Sequence, residues 1–287
     1  MARPNRFSQV INRYLGAVSY PDPYADRPAP APAAQPRPAP GGGRVLVGVD
    51  DSPISCVAVD HAAIEAELHG WELHLVTVRH RAGDPAGEAL LRRLTDRVHA
   101  SSPAVVVTAR VAVGAHPAQI LSAEAAGAGL LVVGHRHGRA TTTLGRSVAD
   151  RVARHHTGPV LVVRMPGWPS GPEFGKRPLV VAVDGSPESE TAVAFTFAEA
   201  RARACDVNLL HLAGSGDLVR RLEIHDGVPV HHRIISGDPA TALIEESGRA
   251  AAVILGRQAH VPLAGSALAP AVALLPQRAY CPVFLVG

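Results

Sequence analysis

Apolar residues along the chain fall into short runs separated by longer amphipathic stretches. In the first half, runs rich in valine and leucine predict β-strands at about residues 44–50, 71–78, 104–111, 129–134 and 159–164. The stretches between them are helical in pattern, such as SCVAVDHAAIEAELHG, which ends at a glycine suited to a C-cap, and LLRRLTDRVHA. Alternation of strands and helices predicts an α/β fold with a parallel, doubly wound sheet.

The same motifs occur twice in the same order. VLVGVDDSPIS at residues 45–55 returns as LVVAVDGSPES at residues 179–189. Three further motifs recur after it: HPAQIL as DPATAL, LVVGHR as VILGRQ, and GPVLVV as CPVFLV. The sequence therefore predicts a duplicated domain. The second copy is shorter between its second and third strands, where GSGDLVRRLEIHDG leaves room for only a short helix.

The remaining stretches set the predicted domain bounds. The Pro/Gly-rich stretch MPGWPSGPEFGKRP separates the two copies. The predicted organisation is a tail at residues 1–43, a first domain at 44–165, a linker at 166–177 and a second domain at 178–287.

The tail begins with a helical pattern and continues as a low-complexity segment. Apolar residues at helical spacing predict a short amphipathic helix over Phe7, Val10, Ile11, Tyr14 and Leu15. The Pro/Ala-rich segment after it cannot bury enough apolar surface to offset its ordering entropy, so we expect it to be disordered. The helix is either a docking element for a partner or membrane surface, or a frayed terminus without a role.

Composition narrows the class of protein. Hydrophobic residues make up 47% of the chain and aromatic residues only 4%, which is typical of parallel sheets covered by helices. The net charge is +3 and no run of five basic residues occurs, so we expect no nucleic-acid partner. No stretch approaches the roughly eighteen apolar residues of a transmembrane segment. Three widely separated cysteines without zinc spacing suit a reduced, cytoplasmic protein.

The segment LVVGHRHGRATTTLGRS, residues 131–147, combines residue types that suit a phosphate chain. Glycines let backbone N–H groups approach an anion, arginines add charged donors, and a serine caps the next helix. These candidates are Gly134, Gly138, Gly145, Arg136, Arg139, Arg146 and Ser147. A glycine-rich surface loop with solvated arginines fits the same spacing. Neither a Walker motif nor GxGxxG is present.

Asp50 and Gly134 fall at the ends of the first and fourth predicted strands. Ligands of open α/β sheets bind beyond the carboxyl ends of the strands, so neighbouring strands would bring both residues to one crevice. Asp50 has two interpretations: a ligand contact in that crevice, or a residue at the start of the Ser-Pro helix that needs no ligand.

Other candidate chemistry is less specific. None of the fifteen histidines has HExxH or Cys/His zinc spacing; His135 and His137 are either phosphate donors or solvated loop residues. We find no GxSxG motif and no paired acid–base pattern, so we do not expect the protein to be an enzyme. At most we expect slow ATP hydrolysis, which needs only a positioned water molecule. A hydrolase or nucleotidyl transferase on the same scaffold stays open, because fold alone does not decide activity.

The repeated motifs resemble those of the universal stress protein family: VDGS after strand one, GxPA, and a Gly-x2-Gly-x9-Gly-Ser loop followed by PVLVV. The resemblance spans about residues 44–165 and 178–287 and implies a tandem-domain stress-response regulator. It implies ATP binding by the first domain, with any Mg²⁺ held by ATP oxygens near Asp50 or Asp51. Asp50 and Val78 would face the adenosine, and the glycines and Ser147 the phosphates.

The loop departs from the family pattern in the first copy. Its spacing is Gly-x3-Gly-x6-Gly-Arg-Ser, one residue shorter, with Arg146 in place of the last glycine. Arg146 would either obstruct a phosphate or donate to it, and Asp51 replaces the glycine of VDGS.

In the second copy Asp184, Gly185 and Ser186 keep the first motif, but alanine and proline replace the loop glycine and serine after Gly256. We therefore expect the second domain to bind nucleotide weakly or not at all. The alternative hypothesis is a nucleotide-free interaction module that recruits an unidentified protein partner through the tail and the domain surfaces.

The resemblance also implies how the two copies associate. Family domains pair through their last strands, here PVLVV and PVFLV, which would give a pseudo-twofold dimer within one chain. A further homodimer of two such chains is left open.

Overall fold

The computed structural model describes residues 7, 10, 11, 43–135, 147–165, 176–212, 221–235, 237–257 and 267–287. Strands alternate with helices, as the apolar pattern predicts. The strands are β1 Arg44–Val49, β2 Glu72–Arg79, β3 Val107–Val113, β4 Leu130–His135, β5 Val160–Arg164, β6 Leu179–Val183, β7 Val207–Leu212, β8 Arg221–His225, β9 Val228–Ile235, β10 Ala252–Gly256 and β11 Val283–Val286. The helices are α1 Pro53–His69, α2 Pro85–Ser101, α3 Pro117–Glu124, α4 Val148–His155, α5 Pro187–Arg203, α6 Pro239–Ser247 and α7 Ala269–Arg278.

One continuous sheet contains the described strands in the order β3-β2-β1-β4-β5-β11-β10-β6-β7-β9-β8. Within each repeat the central strands are parallel, and β1 lies between β2 and β4, with Val47 opposite Val132. This confirms the predicted parallel, doubly wound fold. The neighbouring positions of β1 and β4 bring their carboxyl ends together, as the crevice hypothesis requires.

Helices cover both faces of the sheet. One buried core lies between the sheet and the helices α1, α2 and α5, and the other between the sheet and α3, α4, α6 and α7. Strands buried on both faces explain the nearly continuous valine and leucine runs of the sequence. Helix α1 ends where the sequence predicts, because Gly70 adopts a left-handed φ of 67° as its C-cap. No described helix is long and apolar enough to cross a membrane.

The two repeats meet along their last strands. Strand β5 pairs with β11 in antiparallel orientation, with Val162 opposite Val283 and Leu161 opposite Phe284. Helices α1 and α5 pack across this junction on one face. The arrangement is the pseudo-twofold pairing that PVLVV and PVFLV imply, and it removes one exposed edge from each repeat.

The connection between β7 and β9 corrects one prediction. We expected a short helix in GSGDLVRRLEIHDG, but its last part forms strand β8, which pairs antiparallel with β9. Asp226 and Gly227 form the turn between them at φ values of 49° and 81°. Asp-Gly between alternating apolar residues is a strong hairpin signal. Here it predicts the structure better than the length of the segment, which had suggested a short helix.

Three tail residues belong to the folded core. Phe7, Val10 and Ile11 are helical and are 6%, 4% and 1% exposed, within the core that lies on the α1 and α5 side of the sheet. The guanidinium of Arg203 lies over the Phe7 ring, 4.9 Å from its centroid. Tyr14 and Leu15, the other members of the predicted amphipathic helix, lie outside the described residues.

Candidate functional site

A cavity of about 110 Å³ lies at the carboxyl ends of β1, β2 and β4 in the first repeat. Three predicted site residues, Asp50, Val78 and Gly134, contribute to its lining. Apolar residues, including Ile54 and Leu121, and the hydroxyl residues Ser52 and Ser55 also line it. The structure therefore brings these three predicted residues to one crevice. Of the other predicted residues, Arg136, Gly138 and Gly145 lie outside the described residues, as does Arg146.

The Asp50 carboxylate holds the turn between β1 and α1. Its Oδ1 accepts a hydrogen bond from the Ser52 amide at 2.9 Å and from the Ser55 hydroxyl at 3.0 Å, and it also contacts the Ser52 hydroxyl. The Asp50 amide in turn donates to Ser55 Oγ at 2.9 Å. Asp50 thus stabilises the helix start by an Asx-type turn, and it lines the cavity from that position.

The second repeat contains the same turn. Asp184 Oδ1 accepts from the Ser186 amide at 3.1 Å and from its hydroxyl at 2.5 Å, and Ser186 Oγ accepts from the Ser189 amide at 3.2 Å. Because the turn forms in both repeats, the aspartate and serine of this motif have a structural role that needs no ligand. Their presence alone does not distinguish a binding repeat from a non-binding one.

Asp51 is turned toward the end of β2. Its carboxylate accepts a hydrogen bond from Arg79 at 2.8 Å, and Arg79 Nε lies 3.3 Å from Asp84. The hydrogen bond that Arg79 donates to Asp51 raises the pKa of the guanidinium, and burial opposes this shift. Asp51 is not among the residues that line the cavity. Its counterpart Gly185 has a left-handed φ of 79°, whereas the Asp51 backbone does not, so the non-glycine residue is accommodated.

Gly134 lets α1 approach the end of β4 closely. A Cβ atom at this position would lie 2.8 Å from Cγ1 of Ile54 in the first turn of α1. The equivalent glycine of the second repeat, Gly256, lies against the backbone of Glu188 in the first turn of α5, where a Cβ has no room. The glycine at the carboxyl end of this strand therefore has a packing role in both repeats, whether or not it also contacts a phosphate.

Ser147 is the N-cap of α4, as the sequence predicts, and forms a complete capping box. Its hydroxyl accepts from the Asp150 amide at 3.1 Å, and its own amide donates to Asp150 Oδ2, also at 3.1 Å. The backbone amides of Ser147 and Asp150 thus already have hydrogen-bond acceptors within the protein. A phosphate at this helix start would compete with the Asp150 carboxylate.

His135 is buried beside this capping box. Its Nε2 lies 3.4 Å from Oδ1 of Asp150. The His135 ring and then the Ser147 groups lower the pKa of the Asp150 carboxyl to about 2, although burial opposes this shift. His135 is therefore placed against an acid of its own chain rather than in a solvated loop. His137, the other histidine of the predicted phosphate loop, lies outside the described residues.

A buried ion cluster that was not predicted from the sequence lies at the junction between the repeats. Glu65 and His69 of α1 lie beside Glu199 and Arg203 of α5. The signal was present, because Glu65 and Glu199 occupy equivalent positions of the two repeats, as do His69 and Arg203. Ligand atoms of the two glutamates and the histidine lie within 4.8 Å of one another. The Arg203 guanidinium, 2.7 Å from Glu65 and 3.0 Å from Glu199, already supplies the cation that such a cluster requires.

Comparison with known proteins agrees with this architecture. The model of the "Universal stress protein family" matches residues 43–164 and 176–220. A universal stress protein of Mycolicibacterium smegmatis is 29% identical over 284 residues, covering 84% of this chain and 96% of the relative. One of Mycobacterium tuberculosis is 29% identical over 283 residues, covering 84% and 95%.

Solved structures agree on the fold. The crystal structure of a universal stress protein from Archaeoglobus fulgidus aligns with a TM-score of 0.67 at 16% identity, covering 85% of this chain and 96% of that one. A shorter universal stress protein, solved in complex with cAMP, is 35% identical, with a TM-score of 0.39 and coverage of 43% and 97%. The family match extends over more than half of the chain and occurs in both repeats. The chain therefore belongs to the universal stress protein family and carries its domain in tandem.

Proposed function

We propose that the first repeat binds ATP and that the protein is a cytoplasmic, nucleotide-dependent regulator of a stress response. The observation that carries this proposal is the cavity at the carboxyl ends of β1, β2 and β4, lined by Asp50, Val78 and Gly134. Open α/β sheets bind ligands at this location. An apolar lining with one carboxylate suits a nucleoside, whose base is flat and apolar on its faces and whose ribose donates hydrogen bonds.

The size of the cavity indicates that only part of the ligand would lie inside it. Ligand pockets in proteins usually measure about 300–1,000 Å³, whereas this cavity measures about 110 Å³. It is therefore too small for the whole of ATP, and we assign it to the adenine end. The phosphates, and any Mg²⁺ they hold, would extend over residues 136–146, whose sequence offers Arg136 as a charged donor and Gly138 and Gly145 as residues without a Cβ.

We propose one nucleotide site per chain. In the second repeat the residue that follows β10 is Arg257, which is 3% exposed and donates to the carbonyl oxygen of Gly158 at 2.8 Å. This side chain ties the strand end to the first repeat. Ala259 and Pro270 stand where the loop motif has glycine and serine, and proline lacks a backbone donor. These features argue against a phosphate site there.

The proposed role is binding rather than turnover. Asp50 is the predicted carboxylate nearest the proposed nucleoside. Its Oδ1 accepts hydrogen bonds from Ser52 and Ser55, which favours a structural function over general base catalysis. At most we expect slow hydrolysis by a positioned water. The alternative role for the tail, recruitment of a partner by its helix, is less well supported, because Phe7, Val10 and Ile11 are buried against the protein itself.

Isothermal titration calorimetry with Mg-ATP tests the proposal. We expect about one site per chain, with binding weakened by Val78→Phe, whose ring would fill the base end of the cavity, and abolished by Gly138→Asp. The matched control is Leu212→Phe, because Leu212 of β7 is the counterpart of Val78 in the second repeat. Two sites per chain, or equal effects of the two phenylalanine variants, would contradict a single site in the first repeat. The absence of any binding heat or ligand-induced thermal shift would reject nucleotide binding altogether.

A further inference from the structure

The two repeats differ at the outer edge of their sheets. In the second repeat β9 is covered by the antiparallel strand β8, with Leu222 opposite His231 and Ile224 opposite Pro229. The counterpart of β9 in the first repeat is β3, since both follow the strand that neighbours the first strand of the repeat. The connection before β3 forms helix α2 instead of a strand. Among the described strands, β3 is consequently the last one on its side of the sheet.

The backbone of β3 presents a regular row of donors and acceptors at this edge. The Leu73 amide donates to the Val106 carbonyl at 2.9 Å, and the Gly114 amide donates to the Arg79 carbonyl at 2.9 Å. In a parallel ladder the residues that bond one neighbour alternate with residues that point away from it. The even-numbered residues of β3 therefore bond to β2. The amides and carbonyls of Val107, Ala109, Val111 and Val113 point outward.

The same odd-numbered residues form an apolar strip beside a groove. A cavity of about 660 Å³ lies between β3 and α2 and is lined by Ala109, Val111 and Val113 from the strand and by Leu91 from the helix. Val113 is 51% exposed. An edge strand with an apolar strip and backbone groups that point outward is a template for pairing with another strand.

The opposite edge of the sheet is less suited to pairing. Strand β8 is five residues long, and Glu223 and His225 alternate with its exposed apolar residues Leu222 and Ile224. Short edge strands with charged side chains are a common means of preventing pairing. Strand β3 has seven residues, and Arg110 is its only formally charged one.

We propose that β3 pairs in antiparallel orientation with β3 of a second copy of this chain, about a twofold axis perpendicular to the sheet. Two features of the molecule favour a second copy as the occupant. The junction of β5 and β11 already joins two edge strands in this way, with helices α1 and α5 packed across it on one face. Helix α2 would meet its own copy in the same manner across β3.

The exposed groove-side residues of α2 are charged in a self-complementary order. Glu88, Arg92 and Asp96 line the groove at intervals of one helical turn. Two antiparallel copies of α2 displaced by one turn set Arg92 of one copy opposite Glu88 or Asp96 of the other. Unlike charges across an interface favour this register over one that opposes like charges.

Sedimentation velocity on the full-length protein tests the proposal, with and without Mg-ATP. We expect a dimer for the natural sequence whether or not nucleotide is present. Ala109→Pro removes one outward amide without touching the bonds to β2, and Val113→Asp places a charge on the apolar strip; both should give monomers with the far-ultraviolet circular dichroism of the natural protein. Because Val113 is largely exposed, the second variant remains informative if proline disturbs the strand.

Two control variants separate β3 pairing from other associations. Ala109→Ser keeps the amide and should stay dimeric, and Ile224→Asp on β8 should also stay dimeric. A natural protein that is monomeric at every concentration overturns the proposal. So does a dimer that persists in both β3 variants, or one that Ile224→Asp dissociates. Since ATP binding is measured separately, failure of the proposed function leaves this result unaffected.

Discussion

One terminal nitrogen of the Arg203 guanidinium donates to both carboxylate oxygens of Glu65, at 2.7 and 2.8 Å, and so joins α5 of the second repeat to α1 of the first. The two side chains are only 3% and 4% exposed. Glu199 lies 3.0 Å from the same guanidinium, and His69 lies 3.0 Å from Glu199. With both glutamates ionised, Arg203 alone leaves one excess negative charge. A protonated His69 balances it.

Removing Arg203 should destabilise the protein strongly. Arg203→Met leaves two carboxylates buried beside each other without their guanidinium, and breaking a buried ion pair on one side costs about 3–5 kcal/mol. Equilibrium unfolding in urea should show a loss of this size. Adding Glu65→Gln to Arg203→Met should recover part of it, since one of the uncompensated charges is then removed.

Arg201 of the same helix provides the matched control. It pairs with Asp226 at 2.7 Å, but these side chains are 49% and 64% exposed. Exposed ion pairs contribute about 0–1 kcal/mol, so Arg201→Met should change the free energy of unfolding by no more than that. Similar losses for the two methionine variants would contradict a special role of the buried cluster.

The contribution of His69 should decrease as the pH rises. Burial lowers the pKa of His69, but the hydrogen bond to Glu199 and the charges of Glu199 and Glu65 outweigh it, so the pKa in the folded protein is raised above 6.5. A group with a raised pKa stabilises the fold fully below its unfolded pKa and loses that contribution as the pH rises through the folded pKa. The difference in unfolding free energy between natural protein and His69→Gln should therefore be largest below pH 6.5 and shrink above it.

This difference isolates His69 from other histidines of opposite behaviour. Burial and then Arg257 lower the pKa of His156, and burial and then His232 lower that of His211, so both favour the folded state as the pH rises. They contribute equally to the natural protein and to His69→Gln, and cancel in the comparison. A difference that grows between pH 6.5 and 8.5 would contradict a protonated His69 in the cluster.

The fold could be predicted largely from the sequence, because local pattern and repeated motifs agree. Valine-rich runs bounded by Ser-Pro helix starts and the Gly70 C-cap define the alternation of elements, and the duplication indicates two copies. Strand β8 was missed because segment length was weighed above the Asp226-Gly227 turn signal. The burial of Phe7 could not be read from spacing, since an amphipathic helix does not specify the surface on which it packs.

The site was predictable in location but not in the roles of its residues. Parallel topology places Asp50, Val78 and Gly134 at one edge of the sheet, and in the structure all three line the same cavity. The turn that Asp50 forms and the close packing at Gly134 depend on contacts with α1, which motif spacing does not reveal. Ser147 was expected as a cap, but its reciprocal partner Asp150 was overlooked, although Ser-x-x-Asp preceding a helix is close to the capping-box pattern.

The paired glycines at the strand ends should differ in their tolerance of alanine. A Cβ at Gly134 meets the side chain of Ile54 at 2.8 Å, which can shift, whereas a Cβ at Gly256 meets the backbone of Glu188, which cannot shift without moving α5. Overpacking typically costs about 1–3 kcal/mol. In urea denaturation we expect Gly256→Ala to lower the free energy of unfolding by an amount near or above the upper end of this range. We expect the loss for Gly134→Ala to lie near the lower end. Ile54→Ala removes both γ-carbons that the new Cβ would meet, so Gly134→Ala should cost less in that background than in the natural protein. An unchanged cost would indicate that the strain lies elsewhere.

The Asp150 carboxylate should stabilise the fold and weaken nucleotide binding. The carboxylate completes the capping box of α4, and the loss of a cap costs about 0.5–2 kcal/mol. Because His135 and Ser147 lower its pKa from 3.8 to about 2, its contribution is complete above pH 3.8 and is lost as the pH falls through about 2. Asp150→Asn should therefore lower the unfolding free energy at neutral pH, with the difference from the natural protein disappearing in that acidic window.

The same variant should bind ATP more tightly if the phosphates approach the start of α4. An anion near a helix N-terminus contributes about 0.3–1 kcal/mol, and removing the competing negative charge of Asp150 should make this available to the phosphates. That corresponds to an affinity gain of about two- to fivefold by calorimetry. Glu190→Gln, in the first turn of α5, is the control and should leave affinity unchanged. An unchanged or weaker affinity of Asp150→Asn would place the phosphates away from this helix, because a neighbouring negative charge cannot be neutral toward a polyphosphate at close range.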